Sequence, residues 1–205
     1  MPTILFHLKI ANEFAKKHKK YDNPSFFIGT IAPDAVNAYG FASKEKRWNS
    51  HIKDANLEKW EQNVINFYNK SFGKVEDNYL LGYCFHILTD IVCDRKFINE
   101  LKPDIMDLGI SDENAFSFYY ESVEIYENSE LGTEWFESVK SKLEVAKPIG
   151  INGITEKMIV DWRTYNFDKY AARCKEEPKF IKENFAKEVQ DEVEKILLEK
   201  NLRKH

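Results

Sequence analysis

Residues 79–94 read YLLGYCFHILTDIVCD. On a helix, residues four apart share a face, so Gly82, His86, Asp90 and Asp94 fall in one line. Around that line stand Leu80, Leu81, Tyr83, Phe85, Ile87, Leu88, Ile91 and Val92. The spacing predicts a helix from about Glu76 to Leu101 that is apolar nearly all round, and such a helix belongs in the centre of a fold. An ionised aspartate inside it costs several kcal/mol unless a cation or several donors meet it. Asp90 therefore needs a partner. A lysine or arginine from another helix, a histidine hydrogen-bonded within the core, or a metal ion would each serve, and the His-x3-Asp spacing does not choose among them.

Outward from this segment the helical period continues. Ile4, Leu5, Leu8, Ala11, Phe14 and Ala15 recur at steps that describe an amphipathic helix over Thr3–Lys20. Further helices are expected over Ala55–Ser71, Asp112–Glu130, Thr133–Ala146, Thr155–Arg173 and Pro178–Leu202. Ser111, Thr133 and Thr155 are the expected N-caps, and Pro178 a first-turn proline. In the last helix Phe185, Val189, Val193, Ile196 and Leu197 form a stripe read as packing on its own domain rather than as a dimer seam. Asn23-Pro24, Gly29, Pro33 and Gly40 punctuate residues 21–51, so this stretch is expected to be mostly loop with a short helix at best. So long a loop in a compact domain points to a site or a lid. No alternating β pattern appears. The fold class is all-α, a multi-helix bundle, and residues 1–205 are read as one domain.

Composition narrows the function classes. A net charge of −4, with 30 basic and 34 acidic residues interspersed, provides no cationic field for duplex nucleic acid. The basic run Lys16-Lys17-His18-Lys19-Lys20 falls where the first helix should end and complements its dipole. Cys84, Cys93 and Cys174 are odd in number and lack C-x-x-C spacing, which argues for reduced thiols. No export signal is recognisable, and no apolar run approaches the ~18 residues needed to cross a bilayer, so a cytoplasmic location without a transmembrane segment is expected. The chain also lacks a His-Asp dipeptide, a His-Glu-x-x-His, a Gly-rich phosphate loop and a Gly-x-Ser-x-Gly elbow, which removes the hydrolase classes built on them.

The few histidines are placed unevenly. Of five, His7 lies on the inward face of the first helix beside Leu8 and Ala11, His51 closes the breaker-rich segment in Asn49-Ser50-His51, and His86 is in the central helix. His18 and His205 read as solvated surface and tail. The breaker-rich segment also carries Asp34 in Ile31-Ala32-Pro33-Asp34-Ala35. Imidazoles and carboxylates without thiolates suit zinc or another first-row divalent ion at a catalytic site with open positions. Where two ions sit close together, a carboxylate can bridge them and an imidazole cannot, so Asp90 or Asp34 is the candidate bridge.

The segments MPTILFH, FFIGTIAPDA, NSHIKD and YLLGYCFHILTD, in that order, resemble the zinc-dependent phospholipase C family, which is related to secreted bacterial phospholipases C and to fungal zinc nucleases of single strands. The similarity spans roughly residues 1–94. It implies an all-α bundle with a zinc cluster in a cleft, hydrolysing phosphoric esters. His7, Asp34, His51, His86 and Asp90 match the family's ligands, with Asp90 in the bridging position and Asp34 also the proposed base. Two ions are expected. The family's third ion uses two more histidines and an acid, and no histidine lies between His86 and His205. Asp94 is the candidate to replace one of these ligands and Glu124 another. The alternative is that Asp94 ion-pairs with Arg95 or another base. In the secreted relatives the mature N-terminal residue is a ligand, a role Pro2 could take after removal of Met1.

The implied function is a metal-dependent hydrolase with water activated by the metal, acting on a small phosphate ester or phospholipid-like substrate that the sequence does not assign. Phe26, Phe27, Tyr39, Phe41 and Trp48 flank Asp34 and would either line its cleft or join the core. The rival from another class is a non-catalytic helical protein that keeps a structural metal site or binds a phosphorylated ligand.

Overall fold

The segment 79–94 lies within α5 (Asp77–Lys96), whose N-terminus is capped by the Glu76 carboxylate accepting from the Asn78 and Tyr79 amides. Every residue from Tyr79 to Cys93 is buried. In the computed structural model, which describes residues 3–173, 177, 180–181 and 184–202, the helices pack around α5 as the expected all-α bundle. Around it lie α1 (Ile4–Lys17), α2 (Pro24–Ile31), α4 (Leu57–Ser71) and α10 (Phe185–Glu199). One hydrophobic cluster runs through them, from Ile4 to Leu202. Among the described residues β pairing is limited to the isolated bridges Phe72–Val75 and Ile151–Ile154, and no helix is long and apolar enough to cross a membrane.

The segment 21–51 differs from its expectation as a loop. It holds α2, a 3₁₀ turn over Pro33–Asn37 and α3 (Lys44–Ser50). Pro24 does not break α2 but begins it, at the position where a missing N–H costs nothing, while Asn23 Oδ1 accepts from the Phe26 amide at 3.1 Å. Gly29 is likewise no breaker. It sits where α2 meets α5, and a Cβ there would clash with the Tyr79 carbonyl oxygen. A Cβ on Gly82 of α5 would clash with that of Phe26. The glycine pair lets two backbones approach closely, and Phe26–Ile31 are buried as a result.

Beyond α5 a single π turn (Phe97–Leu101) leads into α6 (Lys102–Asp107), followed by α7 (Asp112–Ser129), α8 (Glu134–Val145) and α9 (Glu156–Ala171). Of the three expected N-caps only Thr155 accepts a helix amide, that of Met158. Ser111 and Thr133 precede their helices without a side-chain cap. The stripe on α10 is buried, and α10 packs on α1 and α5, so it serves the chain's own core. His18 is not solvated surface: its Nε2 lies 2.6 Å from Glu194 Oε1 of α10, while Lys17 in the last turn of α1 reaches Asp191 at 2.8 Å. Met1, Pro2, Cys174, Pro178 and His205 lie outside the described residues. Cys84 and Cys93 are free, buried thiols, and burial pushes both above their usual range.

Candidate metal centre

Four segments deliver five side chains to one point beside α5. His7 comes from α1, Asp34 from the 3₁₀ turn after α2, His51 from the residue that ends α3, and His86 and Asp90 from α5 itself. All are buried: His7, His86 and Asp90 have no exposure, His51 has 1% and Asp34 7%. Close α2–α5 contact at Gly29 and Gly82 brings the end of α2, and with it Asp34, against His86.

Backbone carbonyls fix how the imidazoles are used. His86 Nδ1 lies 2.7 Å from the Thr30 carbonyl oxygen, and His51 Nδ1 lies 2.9 Å from that of Arg47. A carbonyl only accepts, so each Nδ1 carries a hydrogen, and in the neutral ring each Nε2 presents a lone pair. Both carbonyls belong to the last turns of short helices, at the end of α2 and of α3. Metal-ligating histidines are commonly oriented in this way by a hydrogen bond on the other ring nitrogen. The α3 terminus is itself anchored: the Trp60 indole donates to the His51 carbonyl at 2.7 Å and the Tyr83 hydroxyl to that of Ser50.

The two lone-pair nitrogens, His51 Nε2 and His86 Nε2, stand 3.3 Å apart, and Asp90 Oδ2 lies 3.5 Å from the first and 3.8 Å from the second. Zinc ligands ~2.0–2.1 Å from the ion in a tetrahedron are ~3.3 Å from one another, so the triangle has nearly the dimensions of a tetrahedral face. Asp34 joins this face, with Oδ1 3.3 Å from His51 Nε2 and Oδ2 3.9 Å from His86 Nε2. On the other side Asp90 Oδ1 lies 3.3 Å from His7 Nε2, and the His7 and His86 rings stack with centroids 3.7 Å apart. Asp90 thus offers one oxygen to each half of the cluster. Two overlapping sets, His7–Asp34–His86 and His51–His86–Asp90, could each hold a metal ion.

The protein's own groups do not satisfy this arrangement. Among the described residues neither oxygen of Asp90 and neither ring nitrogen of His7 has a hydrogen-bond partner. Burial and the neighbouring His7 push the His86 imidazole down to about 3. Burial pushes the Asp34 carboxyl up, but the His51 hydrogen bond and the nearby imidazoles more than offset this and leave it below its ordinary range. Buried donors without partners, spaced as ligands are, fit a divalent cation.

No family model matches the chain, and no curated protein or solved structure matches it either. What the five side chains can do follows from their own geometry.

Asp94 and Glu124, expected as possible ligands of a third ion, are not part of the cluster. Asp94 lies a turn beyond Asp90, a rise of ~6 Å along the helix, and its carboxylate takes the Lys53 ammonium at 3.1 Å. This is the ion pair with another base, supplied by Lys53 rather than Arg95. Arg95 pairs instead with Glu61 and Glu192. Glu124 is held by Arg173 and lies 3.7 Å from Lys169.

Asp34 alone of the five borders open space, a cleft of about 490 Å³ whose walls include Arg47, Phe41, Trp162, Lys169 and Arg173. Of the aromatics that flank Asp34 in sequence, Phe26 and Phe27 went to the core, whereas Phe41 reaches the cleft and is 82% exposed. The cationic walls escaped the sequence reading. Lys169 and Arg173 are four residues apart near the end of α9, but nothing in their spacing shows that they face Asp34.

Proposed function

We propose that the chain is a metal-dependent phosphoric ester hydrolase of the zinc-dependent phospholipase C type. The observation that carries the reading is Asp90: a fully buried carboxylate with no hydrogen-bond partner among the described residues, whose Oδ1 faces His7 and whose Oδ2 faces His51 and His86. His7, Asp34, His51, His86 and Asp90 would hold two ions, zinc or another first-row divalent metal. Ions bound there would supply Lewis acidity, polarising a phosphoryl oxygen and lowering the pKa of a water molecule. The chain's own contribution is to orient and to exclude. The Thr30 and Arg47 carbonyls hold the two imidazoles, the core around α5 keeps bulk water out, and the Asp34 carboxylate, in the wall of the cleft, would accept a proton from an attacking water. Arg47, Lys169 and Arg173 make the cleft suited to an anionic ester.

The near-complete burial of the five ligands favours a second reading, a closed structural metal cage, since structural sites keep no open position. Asp34 at the cleft weighs against it. The test is metal content by plasma mass spectrometry for the wild type and His86→Ala, together with hydrolysis of nitrophenyl phosphate esters. About two equivalents of metal, lost in the variant, with hydrolysis that a chelator abolishes, are expected. Metal without hydrolysis would leave the structural cage. No metal in either protein after zinc has been offered would overturn both readings.

A further inference from the structure

Arg47 is held in place but not used up. Its Nε donates to the Ala42 carbonyl at 3.0 Å and its guanidinium lies 4.1 Å over the Phe41 ring, yet its terminal amino groups meet no acceptor among the described residues. Lys169 and Arg173 share one carboxylate, Glu124, with Arg173 also donating to Asn128 Oδ1 at 3.1 Å. Three cations against one carboxylate leave two positive charges in surplus along one cleft. Asp34 does not cancel them, because its charge faces His51 and His86. The same cleft has flat walls. Trp162 and Tyr165 lie stacked, 5.8 Å apart at 19°, and the buried Trp162 indole N–H has no acceptor among the described residues.

A phosphate held at the Asp34 end accounts for the cluster but not for the surplus charge or the unmatched donors. We propose that Arg47, Lys169 and Arg173 form a second anion subsite, so that the substrate is a small phosphate ester carrying another oxyanion, a carboxylate or a second phosphate, on a planar frame. This deepens the hydrolase reading and rests on it. Arginine's fork suits either oxyanion, stacked aromatics suit a ring between the two charges, and a cleft of about 490 Å³ is of the size that takes small ligands.

The test compares calorimetric binding of phenyl phosphate, 4-carboxyphenyl phosphate and 1,4-phenylene bisphosphate to the wild type, Arg47→Gln and Lys169→Gln. Arg47→Gln keeps the backbone carbonyl that orients His51. The wild type is expected to bind at least one doubly anionic probe about tenfold or more tighter than phenyl phosphate, the gain of a charged hydrogen bond, and the better probe names the second anion. In both variants that ratio should fall towards one. Equal binding of all three probes by the wild type, or a ratio unchanged in the variants, overturns the proposal. Repeating the titrations after chelation separates the two readings. If the metal reading alone fails, chelation changes nothing while the variants still lose the preference. If the subsite alone fails, chelation weakens every probe and no preference exists to lose.

Discussion

Replacing Asp90 by asparagine should change stability in opposite directions depending on the metal. In the folded protein Asp90 Oδ2 faces His51 and His86 while Oδ1 faces His7, so one substitution weakens both ligand sets. Zinc present at a thousandfold over its dissociation constant stabilises by ~4 kcal/mol, and at ~2–4 °C per kcal/mol for a chain of this size the wild-type melting temperature should rise by ~8–16 °C. Asp90→Asn should lose most of that rise. Without metal the balance turns. The carboxylate is fully buried and neither oxygen accepts a hydrogen bond among the described residues, a burden of several kcal/mol that a neutral isostere removes. The surrounding imidazoles draw Asp90 well below the usual carboxylate range against the push of burial, but only to the extent that they carry protons. That attraction weakens as pH rises, so the comparison is made at pH 8. Thermal melts followed by circular dichroism at that pH, in chelator and in zinc, should therefore cross: the variant at least as stable as wild type in chelator, less stable in zinc. If Asp90→Asn is destabilised as much in chelator as in zinc, the carboxylate is held by the protein's own imidazolium groups, and the case for a metal fails.

Gly82→Ala places a methyl against the Phe26 carbonyl oxygen, and because backbone stands on both sides no rotamer change relieves it. The cost should reach or exceed the ~1–3 kcal/mol of ordinary overpacking, and the displaced α2 should carry Thr30 away from His86, so urea midpoint and metal content should fall together. Asp94→Asn should leave the metal content unchanged and cost no more than ~1 kcal/mol, the worth of a partly exposed pair with Lys53. A halved metal content would return Asp94 to the ligand set. Glu127 is buried, accepts the Phe6 amide at 3.0 Å and the Thr3 hydroxyl, and is pushed up by burial to about 8. Its folded pKa thus exceeds the ordinary 4.5, the folded state binds the proton more tightly, and stability should fall as pH rises from about 4.5 to 8, by at most ~5 kcal/mol. Glu127→Gln should lack that slope, read as the difference in urea stability between variant and wild type at each pH in saturating zinc. Equal slopes would show that Glu127 does not bind its proton more tightly when folded.

How much of this was legible in the sequence depended on what each feature costs. The central helix could be read because burial on every side leaves a continuous apolar run, against which His86 and Asp90 stand out. The segment 21–51 could not. A glycine that permits close approach and one that ends a helix are the same letter, and Gly29 declares its role only when Gly82 and the Tyr79 carbonyl are seen across from it. Asp94 shared the helix face with Asp90, so periodicity grouped them. What parts them is the rise that brings Asp94 level with Lys53, a tertiary fact.

The same reasoning explains why the members of the cluster could be named in advance and the cations of the cleft could not. A histidine or aspartate among core residues would cost several kcal/mol if left without a partner, so its presence in an apolar run already implies that one exists. Arg47, Lys169 and Arg173 carry no such implication. Each side chain can keep its charge in water at little cost wherever it stands, and the sequence around it looks like any solvated surface. Their convergence on Asp34 is set by how α3 and α9 pack against the 3₁₀ turn that carries it, contacts spread over more than a hundred residues of chain. Candidate metal ligands in this protein are therefore marked by the energy of burying them, whereas residues that would select a substrate are marked only by where the fold places them.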